Sequence, residues 1–187
     1  MPRPQRDDAR RNRAAILRVA DDAFTDCSQA VPLDEIARRA GLGRATVYRH
    51  FPDRHALAVA VVGENLRALE QAAEAADADA ANGEHRSFRD LLYWVFSTQL
   101  AMRPLAALIR ELPARAQQEH IDALIAVLTP PFRRAQAEGR LRPDLEPPDL
   151  ALFMTMLDAA AEAVPAGTDR AAAARRLITV VFDGILT

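Results

Sequence analysis

Residues 44–54 read RATVYRHFPDR, a run whose side chains suit the edges and backbone of a nucleic-acid duplex. Arg44 can fork onto guanine O6 and N7, and the methyl groups of Ala45 and Thr46 can meet a thymine methyl. Tyr48, Arg49, His50 and Arg54 supply donors suited to phosphate oxygens. The plainer reading of these residues is an amphipathic helix with a solvated basic face. The preceding residues favour the first reading. Leu33, Ile36, Ala37 and Ala40 form the inward stripe of a short helix, and Ala40-Gly41-Leu42-Gly43 makes a tight turn into the next. A helix, a glycine turn and a second helix too polar on one face to be core is how helix-turn-helix duplex readers are built.

Other elements must hold this pair. Residues 1–8 are polar and proline-bearing and are expected to form a mobile tail. Ile16, Leu17, Ala20, Ala23 and Phe24 recur at helical spacing, which predicts a first helix over 9–26. The arginines ahead of and within it (Arg3, Arg6, Arg10, Arg11 and Arg13) are within reach of a duplex backbone or minor groove. Asp7 and Asp8 dilute their charge, and the backbone contact is assigned to Arg10 or Arg11. Cys27 to Ala30 reads as a connector, and Pro32 suits the first turn of the second helix. Pro52-Asp53 stops the third helix, and Asp53 is placed to cap a fourth from Arg54.

That fourth helix reads through Leu57, Val61, Leu66, Leu69 and Ala73 to a break at Asn82-Gly83, long enough to leave the head and enter the rest of the chain. Further helices are expected over 87–102, 104–112, 113–139, 149–164 and 169–186, with a kink site at Thr129-Pro130-Pro131, a loop over 139–148 and a connector at Pro165-Ala166-Gly167-Thr168. The domain reading is an arm and helix-turn-helix over 1–53 and a helical body over 54–187, linked by the fourth helix.

Composition agrees with an all-α fold. Of 187 residues half are apolar, only 5% are aromatic, and β-branched runs are scarce. Residues 1–60 hold eleven Arg against eight acids, whereas the remainder holds thirteen against eighteen. A basic head on an acidic body points to a polyanionic partner for the head. Cys27 is the sole cysteine, which excludes an intramolecular disulfide and a cysteine zinc site and reads as packing. No apolar stretch approaches the ~20 residues that span a bilayer, and the N-terminus lacks a signal peptide's apolar segment, so the expectation is a soluble, cytoplasmic protein. HExxH, P-loop, GxSxG and GxGxxG motifs are absent, and the histidines at 50, 55, 85 and 120 lack ligand spacing. Neither catalysis, a metal nor a cofactor is expected.

The stretch IARRAGLGRATVYRHFPDR closely resembles the helix-turn-helix signature of TetR-type transcriptional regulators, in which IAxxAG leads into a YxxF helix and a capped basic residue. The resemblance covers roughly residues 10–60. It implies a bacterial homodimer that binds a palindromic DNA operator, with a body that binds a small-molecule effector and lets the DNA go. Carried over by position, Arg44, Ala45 and Thr46 approach bases, Tyr48 and His50 contact phosphates, and Arg54 stands where the family usually has a phosphate-binding lysine. Three departures stand out. Ser28 replaces a common glycine, Val31-Pro32 replaces a capping threonine, and Gly43 replaces a serine cap.

Residues 150–164 are apolar nearly all round, so this helix must be covered on every face. Its Leu150, Phe153, Met154, Leu157 and Ala161, with Ile178, Val181, Phe182 and Ile185 of the last helix, can be buried within one chain or in a two-fold four-helix bundle. The family resemblance favours the bundle. Trp94, Thr98 and Met102, at i, i+4 and i+8, can line an effector cavity with Phe96, Leu108, Leu124 and Met154, although such stripes are more often plain core. Arg103, Arg110, Glu111 and His120 are expected at the surface.

The reading these residues and the resemblance favour is a ligand-responsive repressor. Its rivals are a same-fold regulator that activates or answers to a protein partner, and an all-α protein-binding module or enzyme with a vestigial head.

Overall fold

The computed structural model of the chain describes residues 4–26, 31–82, 87–165 and 169–186. Among them nine helices follow in order: α1 (Pro4–Asp26), α2 (Leu33–Ala40), α3 (Arg44–His50), α4 (Arg54–Asn82), α5 (Phe88–Ala101), α6 (Arg103–Arg110), α7 (Ala114–Ala137), α8 (Asp149–Glu162) and α9 (Arg170–Ile185). The only extended pairing among the described residues is one antiparallel bridge, Leu141 with Leu186. Arg3, Cys27, Ser28, Gly83, His85 and the connector residues Ala166–Thr168 lie outside the described residues.

Two boundaries differ from the sequence reading. α1 begins at Pro4, so residues 4–8 are helical and not a loose tail. Proline is at home in a helix's first turn, and Arg10–Asp7 and Arg11–Asp8 are one-turn ion pairs along this segment. Pro32 is the residue before α2 and not its first turn, with its carbonyl accepting from the backbone of Glu35 and Ile36.

The chain packs as two compact units. One comprises Met1–Asn65 with Met102–Ala114, the other Leu66–Ala101 with Arg115–Thr187. This packing division falls within α4, after Asn65, and places α6 with the head. The reason is apolar packing: Leu57, Ala58 and Val61 of α4 and Leu105 and Leu108 of α6 share one core with Ile16, Phe24, Ile36, Val47 and Phe51.

In the second unit Phe88, Leu92 and Phe96 of α5 pack with Leu128 and Phe132 of α7, Leu150 and Leu157 of α8, and Ile178 and Phe182 of α9. Phe88 meets Phe132 edge-on with centroids 5.9 Å apart, a favoured aromatic geometry. α7 continues through Pro130 and Pro131, with Leu128 and Phe132 on either side fully buried. Thr129 donates to the carbonyl of Ile125 at 2.7 Å within this stretch. The loop expected over 139–148 carries an unforeseen tie, because the Arg142 N–H donates to the Ile185 carbonyl at 3.1 Å beside the Leu141–Leu186 bridge.

Candidate nucleic-acid interface

The turn between α2 and α3 is closed by hydrogen bonds as well as by sequence type. Gly41 adopts φ 66°, the left-handed region that favours glycine. Its N–H donates to the Arg38 carbonyl at 3.3 Å, and the Leu42 N–H donates to Ala37 at 3.0 Å. These two bonds make a Schellman cap, which ends α2 and turns the chain into α3. Gly43 then precedes α3 with no side-chain cap, and Pro32 likewise offers none to α2. At the far end the Phe51 N–H donates to Val47 at 2.8 Å, and Asp53 caps α4 by accepting from Ala56 at 2.8 Å.

One face of α3 is anchored. Val47 is fully buried, as is Phe51 just beyond the helix, so the short helix is pinned at both ends of its inner stripe. The opposite face turns Arg44, Ala45, Tyr48 and Arg49 to solvent, with Thr46 and His50 half-buried. Tyr48 is 44% exposed.

Most of these polar groups already have partners. Arg44 pairs through Nη2 with Asp34 of α2, and the Tyr48 hydroxyl donates to the other Asp34 oxygen at 3.4 Å. Arg49 donates to the Thr46 hydroxyl at 3.2 Å. Arg54 lies 3.2 Å from Glu111 just past α6, and the same carboxylate oxygen sits 2.7 Å from His55 Nε2. The His55 hydrogen bond, aided by the Arg54 charge, holds the Glu111 carboxyl below its ordinary pKa. Arg13 places its guanidinium over the Phe51 ring at 4.8 Å, braced against the end of α3. Arg38 and Arg39 share Glu35, whose pKa falls to about 2 because both donate hydrogen bonds to it.

A family model described as "Bacterial regulatory proteins, tetR family" matches residues 28–61, and one described as "Transcriptional regulator SbtR-like, C-terminal domain" matches residues 95–187. A TetR transcription regulatory protein from Mycobacterium vanbaalenii, known as a crystal structure, is 30% identical over 98% of this chain and 100% of its own, with a TM-score of 0.64. The chain belongs to the TetR family.

It is accordingly a DNA-binding transcription regulator and not an enzyme. A TetR transcriptional regulator from Streptomyces coelicolor is 26% identical, covering 93% of this chain and 98% of its own at TM-score 0.67. FadR from Bacillus subtilis, solved in complex with stearoyl-CoA, shares the fold at 14% identity, covering 92% and 98% of the two chains at TM-score 0.58. No curated protein matches. Among the described residues no helix is long and apolar enough to cross a membrane.

Two sets of expected site residues lie in the packing of this TetR-family chain as follows. Those assigned to one effector cavity divide between two cores. Met102 and Leu108 are buried in the head, where Asn65 donates to the Met102 sulfur at 3.3 Å, whereas Phe96 is buried in the second unit. Leu124 and Met154 pack half-buried on that second core, Thr98 is half-buried, and Trp94 is 36% exposed. The split arises because α6 packs on α1, a contact that helical spacing cannot report.

The residues assigned to a dimer interface are largely consumed by the chain's own core. Leu150, Leu157, Ala161, Ile178, Val181, Phe182 and Ile185 are buried, and Phe153 and Met154 are half-buried against them. What α8 and α9 leave bare is a different set: Leu152 at 67%, Met156 at 51% and Val180 at 69% exposure.

Proposed function

We propose that this regulator is a repressor that binds a palindromic operator as a homodimer in the cytoplasm and is released by a small-molecule effector. The observation that carries the DNA reading is α3, pinned by Val47 and Phe51 while it presents Arg44, Ala45 and Tyr48 to solvent with Thr46 half-buried beside them. Arg44, Ala45 and Thr46 face bases, while Tyr48, Arg49, His50 and Arg54 take backbone phosphates, with Arg10 and Arg11 of α1 as outlying phosphate contacts. A dimer lets two such helices enter successive major grooves one helical turn apart, ~34 Å.

The dimer reading draws on the bare aliphatic side chains of α8 and α9, since Leu152, Met156 and Val180 gain from cover that one chain does not provide. The effector reading draws on the FadR relative of the same fold that holds stearoyl-CoA. In this chain its site is assigned to half-buried Thr98, Leu124 and Met154 with Trp94 in the second unit. An effector that binds the body better in an arrangement that misplaces the two heads weakens operator binding by that difference in affinity.

The experiment is a gel-shift titration with duplex DNA from upstream of the protein's own gene. Replacing Arg44, Thr46 and Tyr48 together by Ala abolishes the shift while circular dichroism stays unchanged. Retention of wild-type affinity by this variant sinks the assignment.

A further inference from the structure

We propose that Asp34 is a positioning residue for base readout, one that sharpens sequence discrimination at the expense of general affinity for DNA. The inference rests on the reading of Arg44 as a base reader. Asp34 stands in the first turn of α2, yet its two carboxylate oxygens reach across to α3. One accepts from Nη2 of Arg44 and the other from the Tyr48 hydroxyl. A single carboxylate thus holds one proposed base reader and one proposed phosphate ligand, and its side chain is 42% exposed on the same side as both.

A guanidinium carries five donors in a rigid fork, so Arg44 can keep Asp34 on Nη2 while its remaining donors face guanine O6 and N7. Held this way, the fork meets the base already oriented, and less side-chain freedom is lost on binding. The same carboxylate adds a negative charge to the face that meets phosphates, which repels any duplex whatever its sequence. The two effects combine to raise the ratio of specific to non-specific binding. A merely structural role, an acid favouring the N-terminus of α2, affects both kinds of duplex alike through stability.

The test starts with a pool of duplexes carrying a randomised 20-bp core, selected on the full-length wild-type protein. Affinities of wild type, Asp34→Asn, Arg44→Ala and the double variant are then measured for the selected duplex, its single-base-pair variants and an unrelated duplex. Asp34→Asn binds the unrelated duplex more tightly than wild type. It also loses about tenfold in discrimination at the base pair read by Arg44, within the range a bidentate contact supplies. In the Arg44→Ala background the substitution no longer changes discrimination at that pair. Asp34→Ser provides a second removal of the carboxylate should the asparagine variant melt early. If wild type selects no sequence, base reading itself fails. If it does select one, but Asp34→Asn matches wild type at every pair and on the unrelated duplex, the role assigned to Asp34 alone is overturned.

Discussion

The chain exposes two helical faces of opposite character, that of α3 in the first unit and that of α8 and α9 in the second. On α3 the outward side chains other than Ala45 are polar, and several are held by neighbours: Arg44 and Tyr48 by Asp34, Arg49 by Thr46, and nearby Arg54 by Glu111. On α8 and α9 they include Leu152, Met156 and Val180, each more than half exposed. An exposed arginine is at home in water and can exchange a carboxylate for a phosphate at little net cost, which suits a partner that comes and goes. An exposed leucine or valine gains about 1.5–3 kcal/mol when fully covered, which suits a partner that stays. The contrast explains why we assign transient DNA binding to one face and constitutive self-association to the other.

The largest effect should come from breaking the apolar face. Leu152→Glu with Val180→Glu places carboxylates where the partner subunit would bury them, and an unpaired buried charge costs several kcal/mol. The double variant is expected to run as a monomer in sedimentation equilibrium and to lose at least a hundredfold in operator affinity, with its helical content retained. Neither side chain serves the chain's own core, so a variant that stays dimeric places the interface elsewhere.

The next effect separates the turn that aims α3 from the residues that α3 carries. At φ 66° Gly41 occupies backbone that alanine enters only with strain, and a Cβ built there meets nothing within 4 Å. Gly41→Ala should therefore cost about 1 kcal/mol from backbone alone. Urea unfolding that shows no loss would mean that the turn relaxes without consequence for α2.

How far these faces were legible in the sequence follows from the range of the interactions involved. The α2–turn–α3 unit was readable because its determinants are local: Ile36, Ala37, Gly41 and Val47 fall within twelve residues and act through helical spacing and one left-handed position. The apolar all-round character of α8 was readable too, but not which stripe the chain keeps for itself. Leu150, Leu157 and Ala161 make one helical row, Leu152 and Met156 another, and both are apolar. Only the packing of α5 and α9 on the first row decides. The pairings of Asp34 and Glu111 were not readable for a related reason. Their partners lie ten and fifty-seven residues away, and an isolated acid on a helix surface carries no signal until its neighbour is known.

Glu111 gives the smallest effect and the finest probe of the polar face. It has the Arg54 guanidinium at 3.2 Å and His55 at 2.7 Å, with Arg54 and Glu111 exposed and His55 half-buried. Exposed pairs of this kind add little to stability, so Glu111→Gln should leave the melting temperature almost unchanged. DNA binding is another matter. Each phosphate neutralised by a free cation releases about 0.9 of a counterion. Where Arg54 must first leave a carboxylate, that carboxylate regains a cation from solution and the net release shrinks. The slope of log affinity against log salt should therefore steepen by up to about 0.9 in Glu111→Gln, with the gain in affinity largest at low salt. In the Arg54→Ala background the same substitution should leave the slope where it was. If the slopes of wild type and Glu111→Gln coincide, Arg54 does not trade Glu111 for a phosphate. The exchange of partners that distinguishes the polar face from the apolar one would then be confined to α3 itself.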